Sequence, residues 1–284
     1  MTQQQVPPSD AGATGLQANL LWTGGWDSTF HLLRLLLVYR IQVTPYYLLR
    51  ERRPSTPIEI ATMDRIRDAL AMRHPHTRNA LQPTRFFDVE HLAPSAAITD
   101  AYERTLQKTF LGRQYEWLAW FCAQEGIEEI ELCIHRDDKA HAVIAPYVRE
   151  VDGAGYRTYR FDLRHVAGAP ADVADLALLF RHFGFPLFEV TKMEMAREAT
   201  ARGWQDLMEM TWFCHSPLRN QQPCGCCHPC LYTIEEGLGY RLPRRSRIRS
   251  AIFRTCLLPF KTPILAVLDA ARSARDAIRS PRRL

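Results

Sequence analysis

The chain has 284 residues, enough to bury a sizeable core in one domain with an appendage. Its composition is that of an ordinary globular protein, 46% hydrophobic and 24% charged, and no apolar run reaches membrane-spanning length, since CLLPFKTPILAVL is broken by Pro259, Lys261 and Pro263. The net charge of +5 is uneven: residues 241–284 hold twelve Arg or Lys against two Asp, a local balance of +10 that leaves −5 on the rest.

The first eighteen residues, MTQQQVPPSDAGATGLQA, are polar and small, without the basic start and apolar run of a secretory signal. They read as a flexible tail, and the chain reads as cytoplasmic. Short β-type runs then alternate with longer helical ones. NLLW leads into DSTFHLLRLLLVYR, and QVTPYYLL into IEIATMDRIRDALAMR. RFFDVEHL leads through a longer link into RQYEWLAWFCAQEG, EEIELCIH into a more irregular helical region, and FPLFEV into KMEMAREATARG. Five β-then-α units in series predict an α/β fold, a doubly wound parallel sheet of about five strands over residues 19–205, with ligands at the carboxyl ends of the strands. A cysteine module at 206–240 and a basic helical tail at 241–284 follow.

The first turn, Thr23-Gly24-Gly25-Trp26-Asp27-Ser28, falls between strand and helix, where backbone N–H groups and the helix dipole favour an anion. Two glycines let the backbone approach a phosphate with no Cβ in the way. Thr23, Ser28 and Thr29 add hydroxyls, and Asp27 can orient the loop or meet a magnesium ion. A plain strand-to-helix turn explains the same residues almost as well. The turn lacks both the Gly-Lys-Ser/Thr ending of the P-loop and the three spaced glycines of a dinucleotide site.

Five of the eight cysteines lie between Cys214 and Cys230, in CHSPLRNQQPCGCCHPC. Taking Cys214, Cys224, Cys227 and Cys230 gives C-x9-C-x2-C-x2-C, and four thiolates suit a tetrahedral structural Zn2+. Cys226 can replace Cys227 in an alternative pairing. His215 and His228 flank the group as loop residues.

The turn resembles the Ser-Gly-Gly-x-Asp-Ser pyrophosphate loop of the ATP pyrophosphatase superfamily, with Thr23 in place of the first serine. Together with the cysteines it resembles the 7-cyano-7-deazaguanine synthase family of queuosine-precursor biosynthesis, over roughly residues 19 to 235. PIEIATMDRI, with Glu59, LGRQYEWLAWFCAQEG, with Gly112, Arg113 and Gln114, and FPLFEVTKMEMAREATARG, with Lys192 and Glu194, are similar to family segments. The resemblance implies an adenine nucleotide α-hydrolase-like fold, with ATP and Mg2+ at Thr23 to Thr29 and with Asp27, Arg113 and Lys192 in catalysis. It also implies an ATP-dependent carbon–nitrogen ligase. Such an enzyme adenylates 7-carboxy-7-deazaguanine or a related acid, releases pyrophosphate, and lets ammonia or another amine displace AMP to give an amide or nitrile.

Two segments depart from the family. CIHRDDKAHAVIAPYVREVDG puts His135, Arg136, Asp137 and Asp138 where a base-holding segment is expected, and LLRERRPST replaces a Tyr-Gly-Gln. These changes keep two further readings open, an enzyme conjugating a deazaguanine to a protein or another amine, and a nucleotide-binding scaffold without turnover. The basic tail fits a protein partner better than a nucleic acid, because it has few aromatics for base stacking. A homodimer is compatible with the sequence.

Overall fold

The computed structural model describes residues 15–50, 53–153, 155–166 and 168–257. The N-terminal stretch up to residue 14 and the basic tail beyond residue 257 lie outside them. The chain divides into two compact units, Met1–Trp212 and Phe213–Leu284.

The first unit opens with β1 (Gln17–Leu21) and α1 (Trp26–Leu33), which continues as a π-helical stretch over Arg34–Val38. β2 (Gln42–Leu49) precedes α2 (Thr56–Arg73) and the single turn α3 (Thr77–Ala80). β3 (Arg85–Asp88) precedes α4 (Ala96–Lys108) and α5 (Gln114–Glu125), and β4 (Ile130–Glu131) precedes α6 (Lys139–Ile144). β5 (Val148–Asp152) and β6 (Arg157–Phe161) form a hairpin. α7 (Ala171–Phe180), β7 (Phe183–Gly184), α8 (Lys192–Ala201) and α9 (Gln205–Glu209) complete the unit.

The strands form one sheet in the order β3-β2-β1-β4-β7-β6-β5. The first five run parallel, whereas β6 pairs antiparallel with both β7 and β5. The sheet therefore has seven strands, not about five. The additional pair is a hairpin cut from the stretch expected to be irregular helix, where Val148 to Asp152 and Arg157 to Phe161 pair in register through Val148↔Phe161 and Asp152↔Arg157. FPLFEV is a second correction. β7 ends at Gly184, and Phe185 to Val190 turn instead of extending, because Pro186 has no N–H to give a ladder. Phe185, Leu187 and Phe188 are nonetheless buried, so the apolar signal belonged to a core turn.

Local signals set the helix ends. Thr191 and Glu194 make a capping box that starts α8, and Gly126, at φ +62°, closes α5. β1 and β2 read as apolar runs because both faces of a parallel sheet are covered. Leu20, Trp22, Val43 and Tyr47 are all within 2% exposure or less.

Glu131 is the exception inside the sheet. It is buried, its Oε1 accepts from the Tyr156 hydroxyl at 2.7 Å, and its Oε2 accepts from Thr158 at 3.5 Å. Burial lifts its carboxyl to about 7, against the two hydrogen bonds, which favour the charged form. The fold thus holds the proton where the unfolded chain has already lost it. Stability should fall as pH rises from 4.5 to about 7 and level off above. Glu131→Gln should flatten that window, adding up to about 3 kcal/mol at pH 8 and little at pH 4.5. Thermal unfolding across this range checks it, and parallel pH curves for variant and wild type would refute it.

Candidate active site and candidate metal centre

β1 is flanked by β2 on one side and β4 on the other, both parallel to it, so the strand order reverses there and a crevice opens at its carboxyl end. The turn from Trp22 to Gly25 occupies that position. Gly24 has φ +67°, and a Cβ there would meet Met63 Cγ and Thr62 Cγ2 at 3.2 Å and the Glu59 carbonyl at 3.3 Å. The turn is pressed against the first half of α2, and only glycine fits the conformation and the space. Its carbonyl accepts from the Trp212 N–H at 2.9 Å. Gly25 is the N-cap of α1 and brings no capping side chain, and the positive end of the helix dipole faces the turn.

Asp27 stands in this first turn. Its Oδ2 lies 3.5 Å from Lys192 Nζ, and its Oδ1 lies 3.8 Å from His135 Nε2. Lys192 is the first residue of α8, and its backbone N–H donates to Asp137 Oδ2 at 2.9 Å. Asp137 in turn donates its N–H to His135 Nδ1 at 3.2 Å. With Nδ1 accepting, a neutral His135 carries its proton on Nε2, toward Asp27. The Lys192 side chain is 14% exposed, His135 4% and Asp27 27%, so a carboxylate, an ammonium and an imidazole meet in a half-dry crevice beside a helix N-terminus. Such a set can hold a phosphate chain, neutralise charge on it, and present a carboxylate to a hard cation.

The other expected site residues are placed differently. Thr23 is exposed beside the turn and Ser28 is buried. The Thr29 hydroxyl accepts from the Trp22 indole at 3.0 Å, and Trp22 and Trp26 are both core residues. Arg113, 80% exposed, pairs with Glu116 at 3.2 Å. Glu194 accepts from the backbone and hydroxyl of Thr191 and so caps α8, while Asp137 holds Lys192 by its backbone. Glu59 is buried under the turn, accepting from Tyr47 Oη at 2.6 Å and pairing with Arg53 at 3.0 Å. His135 and Asp137 had been marked only as departures from a pattern. Their signal was their position directly after β4, at the edge of the reversal.

In the second unit, the Sγ atoms of Cys214, Cys224, Cys227 and Cys230 lie within 4.8 Å of one another. Sγ–Sγ distances are 3.8 Å for Cys227–Cys214, 3.5 Å for Cys227–Cys230 and 3.9 Å for Cys224–Cys230. A single tetrahedral ion with metal–sulfur bonds of about 2.3 Å requires sulfurs about 3.8 Å apart, so the donor set fits one ion. Backbone N–H groups of Cys226 and Cys227 donate to Cys224 Sγ, both at 3.3 Å, and that of Cys224 to Cys214 Sγ at 3.2 Å. Cys226 is outside the group, its thiol directed at the Arg249 carbonyl at 3.9 Å.

The loop is clamped by its neighbour in sequence. After α10 (His228–Glu235), α11 (Arg244–Ile252) lies against it: Ser246 Oγ donates to the Pro223 carbonyl at 2.6 Å and Arg249 Nε to the Cys224 carbonyl at 3.0 Å. Gly225, at φ +84°, passes so close that a Cβ would sit 2.2 Å from the Ser246 carbonyl oxygen.

No family model matches the chain. No curated protein matches it either. Among solved structures it is similar to the U34-tRNA thiolase NcsA from Methanococcus maripaludis with its [4Fe-4S] cluster, at 12% identity and a TM-score of 0.38 over 84% of this chain and 71% of that one. Among the described residues, no helix is long and apolar enough to cross a membrane.

Two substitutions test the metal centre. Gly225→Ala should abolish metal retention and solubility, since the clash is with backbone and the torsion is disfavoured. Cys226→Ser should keep the full metal content, and Cys224→Ser should lose it. Elemental analysis of the purified proteins decides, and loss of metal from the Cys226 variant would overturn the ligand set.

Proposed function

We propose that this chain is an ATP-dependent carbon–nitrogen ligase of the pyrophosphate-loop type. The observation that carries the reading is Asp27 with Lys192 at 3.5 Å, at the start of α1 and at the carboxyl end of the strand where the sheet order reverses. ATP would lie with its phosphates on the turn Thr23 to Ser28, at the N-terminal end of α1, where the helix dipole favours an anion. Mg2+, held by Asp27, would offset the charge of the phosphates. Lys192 adds positive charge where the bond between the α and β phosphates breaks.

The acid's carboxylate oxygen attacks the α-phosphorus, pyrophosphate leaves with the bonding pair, and an acyl-adenylate results. Ammonia or another amine then adds to the acyl carbon and expels AMP. Cys214, Cys224, Cys227 and Cys230 would hold Zn2+ as a structural metal, since four thiolates would leave it no open position for catalysis. The reading commits to this reaction and not to 7-carboxy-7-deazaguanine. Two of the rewritten residues are engaged with the site itself, Asp137 with Lys192 and Arg53 with Glu59.

Pyrophosphate release on mixing the protein with ATP and a panel of carboxylic acids is the test. Asp27→Ala and Lys192→Ala should each lower the rate at least 100-fold, the scale of removing one preorganised charge from a transition state. Gly25→Val should do the same, because its Cβ falls 3.2 Å from Thr23 Oγ1 and its branch covers the phosphate approach. Thr23→Ser should stay close to wild type. Normal turnover in Gly25→Val would show that the phosphates bind elsewhere.

A further inference from the structure

A cavity of about 440 Å3 opens between α4, α6 and α7. Phe110, Val143, Tyr147 and Leu176 give it apolar walls, and Lys108 and Lys139 stand at it as cations. Its volume is that of a small-molecule site.

Topology places this cavity at the same end of the sheet as the turn Thr23 to Ser28. α5 and α7 lead into the parallel strands β4 and β7, so their N-termini stand at the carboxyl ends of the strands. The 109–113 segment, with Phe110, leads into α5, and Asp172 sits in the first turn of α7. Lys139 is the first residue of α6, directly after the turn whose His135 and Asp137 face Asp27 and Lys192. One short turn therefore joins the nucleotide side of the crevice to the cavity.

The lining specifies a ligand. Phe110 is 66% exposed, a large ring that core packing does not account for, and Lys139 Nζ lies 5.7 Å from its centroid. Lys108 pairs with Asp172 at 3.2 Å, and the lining residues, two lysines against one aspartate, carry a formal balance of +1. The Thr105 hydroxyl is spent on the Ala101 carbonyl at 2.9 Å. These walls offer area and positive charge, with few directed hydrogen bonds to read the edge of a purine.

We propose that this cavity seats the acceptor acid, and that the acid is an aromatic carboxylate with an apolar body, its ring on Phe110 and its charge toward Lys139. The proposal rests on the ligase reading, and the experiment separates the two. The probe is 2-naphthoate, titrated into the full chain by calorimetry beside a separate ATP titration. Binding should weaken about three- to tenfold in Phe110→Ala and about tenfold in Lys139→Ala, the scale of one aromatic contact and one charge-assisted bond. Both side chains are exposed, and ATP binding should be unchanged in both variants. ATP binding without naphthoate binding, or naphthoate binding as tight in both variants as in wild type, would overturn the cavity assignment alone. Naphthoate binding that responds to the variants, in a protein that neither binds ATP nor releases pyrophosphate, would support the cavity and overturn the ligase reading.

Discussion

The pairing of β1 between two parallel neighbours is the constraint on which the first unit depends. A strand flanked on both sides by parallel partners cannot be reached by hairpins, so each connection must cross a face of the sheet. The connection leaving β1 runs to β2 and the one leaving β4 runs to the opposite half of the sheet, so the two diverge from the carboxyl ends of these strands and leave a gap there. The gap is lined by whatever the chain carries in the turns after β1 and β4. Those turns hold Gly24, Gly25 and Asp27 on one side and His135 and Asp137 on the other. Lys192 reaches the same gap because the capping box of Thr191 and Glu194 starts α8 there.

Much of this was legible in the sequence, and the reasons differ by element. Strands buried on both faces write themselves as apolar runs, which is why the stretches around Leu20 and Val43 read correctly as parallel strands. The turn after β1 was legible because positive φ and close approach demand glycine, and a Gly-Gly pair followed by Asp and hydroxyls is a compact signal. The β5–β6 hairpin was not legible. Its alternation, in VREVD and RTYRF, is mixed with exposed arginines, and its pairing depends on an edge that only the rest of the sheet supplies. FPLFEV failed in the opposite way: its apolar residues are buried, but burial in a turn and burial in a strand leave the same composition.

Within the site, sequence could name ionisable residues but not their partners. Lys192 and Glu194 are two residues apart, and residues so spaced on a helix do not face each other. Glu194 instead turns back to Thr191, while the lysine finds Asp27, 165 positions away in the chain. That contact adds little stability. An ion pair with partial exposure on both sides gains little over its hydrated components. Under the ligase proposal, a carboxylate and an ammonium kept near each other but not in tight contact would hold charge ready for a ligand that brings both phosphate and cation.

In the second unit, composition and contacts mark different divisions. Counting charges divides the chain near residue 241, where the arginines begin. The helix that follows nevertheless has two faces. Ser246, Arg249 and Ser250, at i, i+3 and i+4, form its packed side, with Ser246 and Arg249 bonded to the cysteine loop, while Arg244, Arg245 and Arg247 face solvent. Gly225 fixes the distance between loop and helix, since any larger residue would be driven into the Ser246 carbonyl. The loop that gathers four sulfurs is thus shaped from outside by α11, and the donor set it gathers suits one metal ion. The first turns of the basic segment pack with the cysteine loop, and their charge remains on the face that this packing does not use.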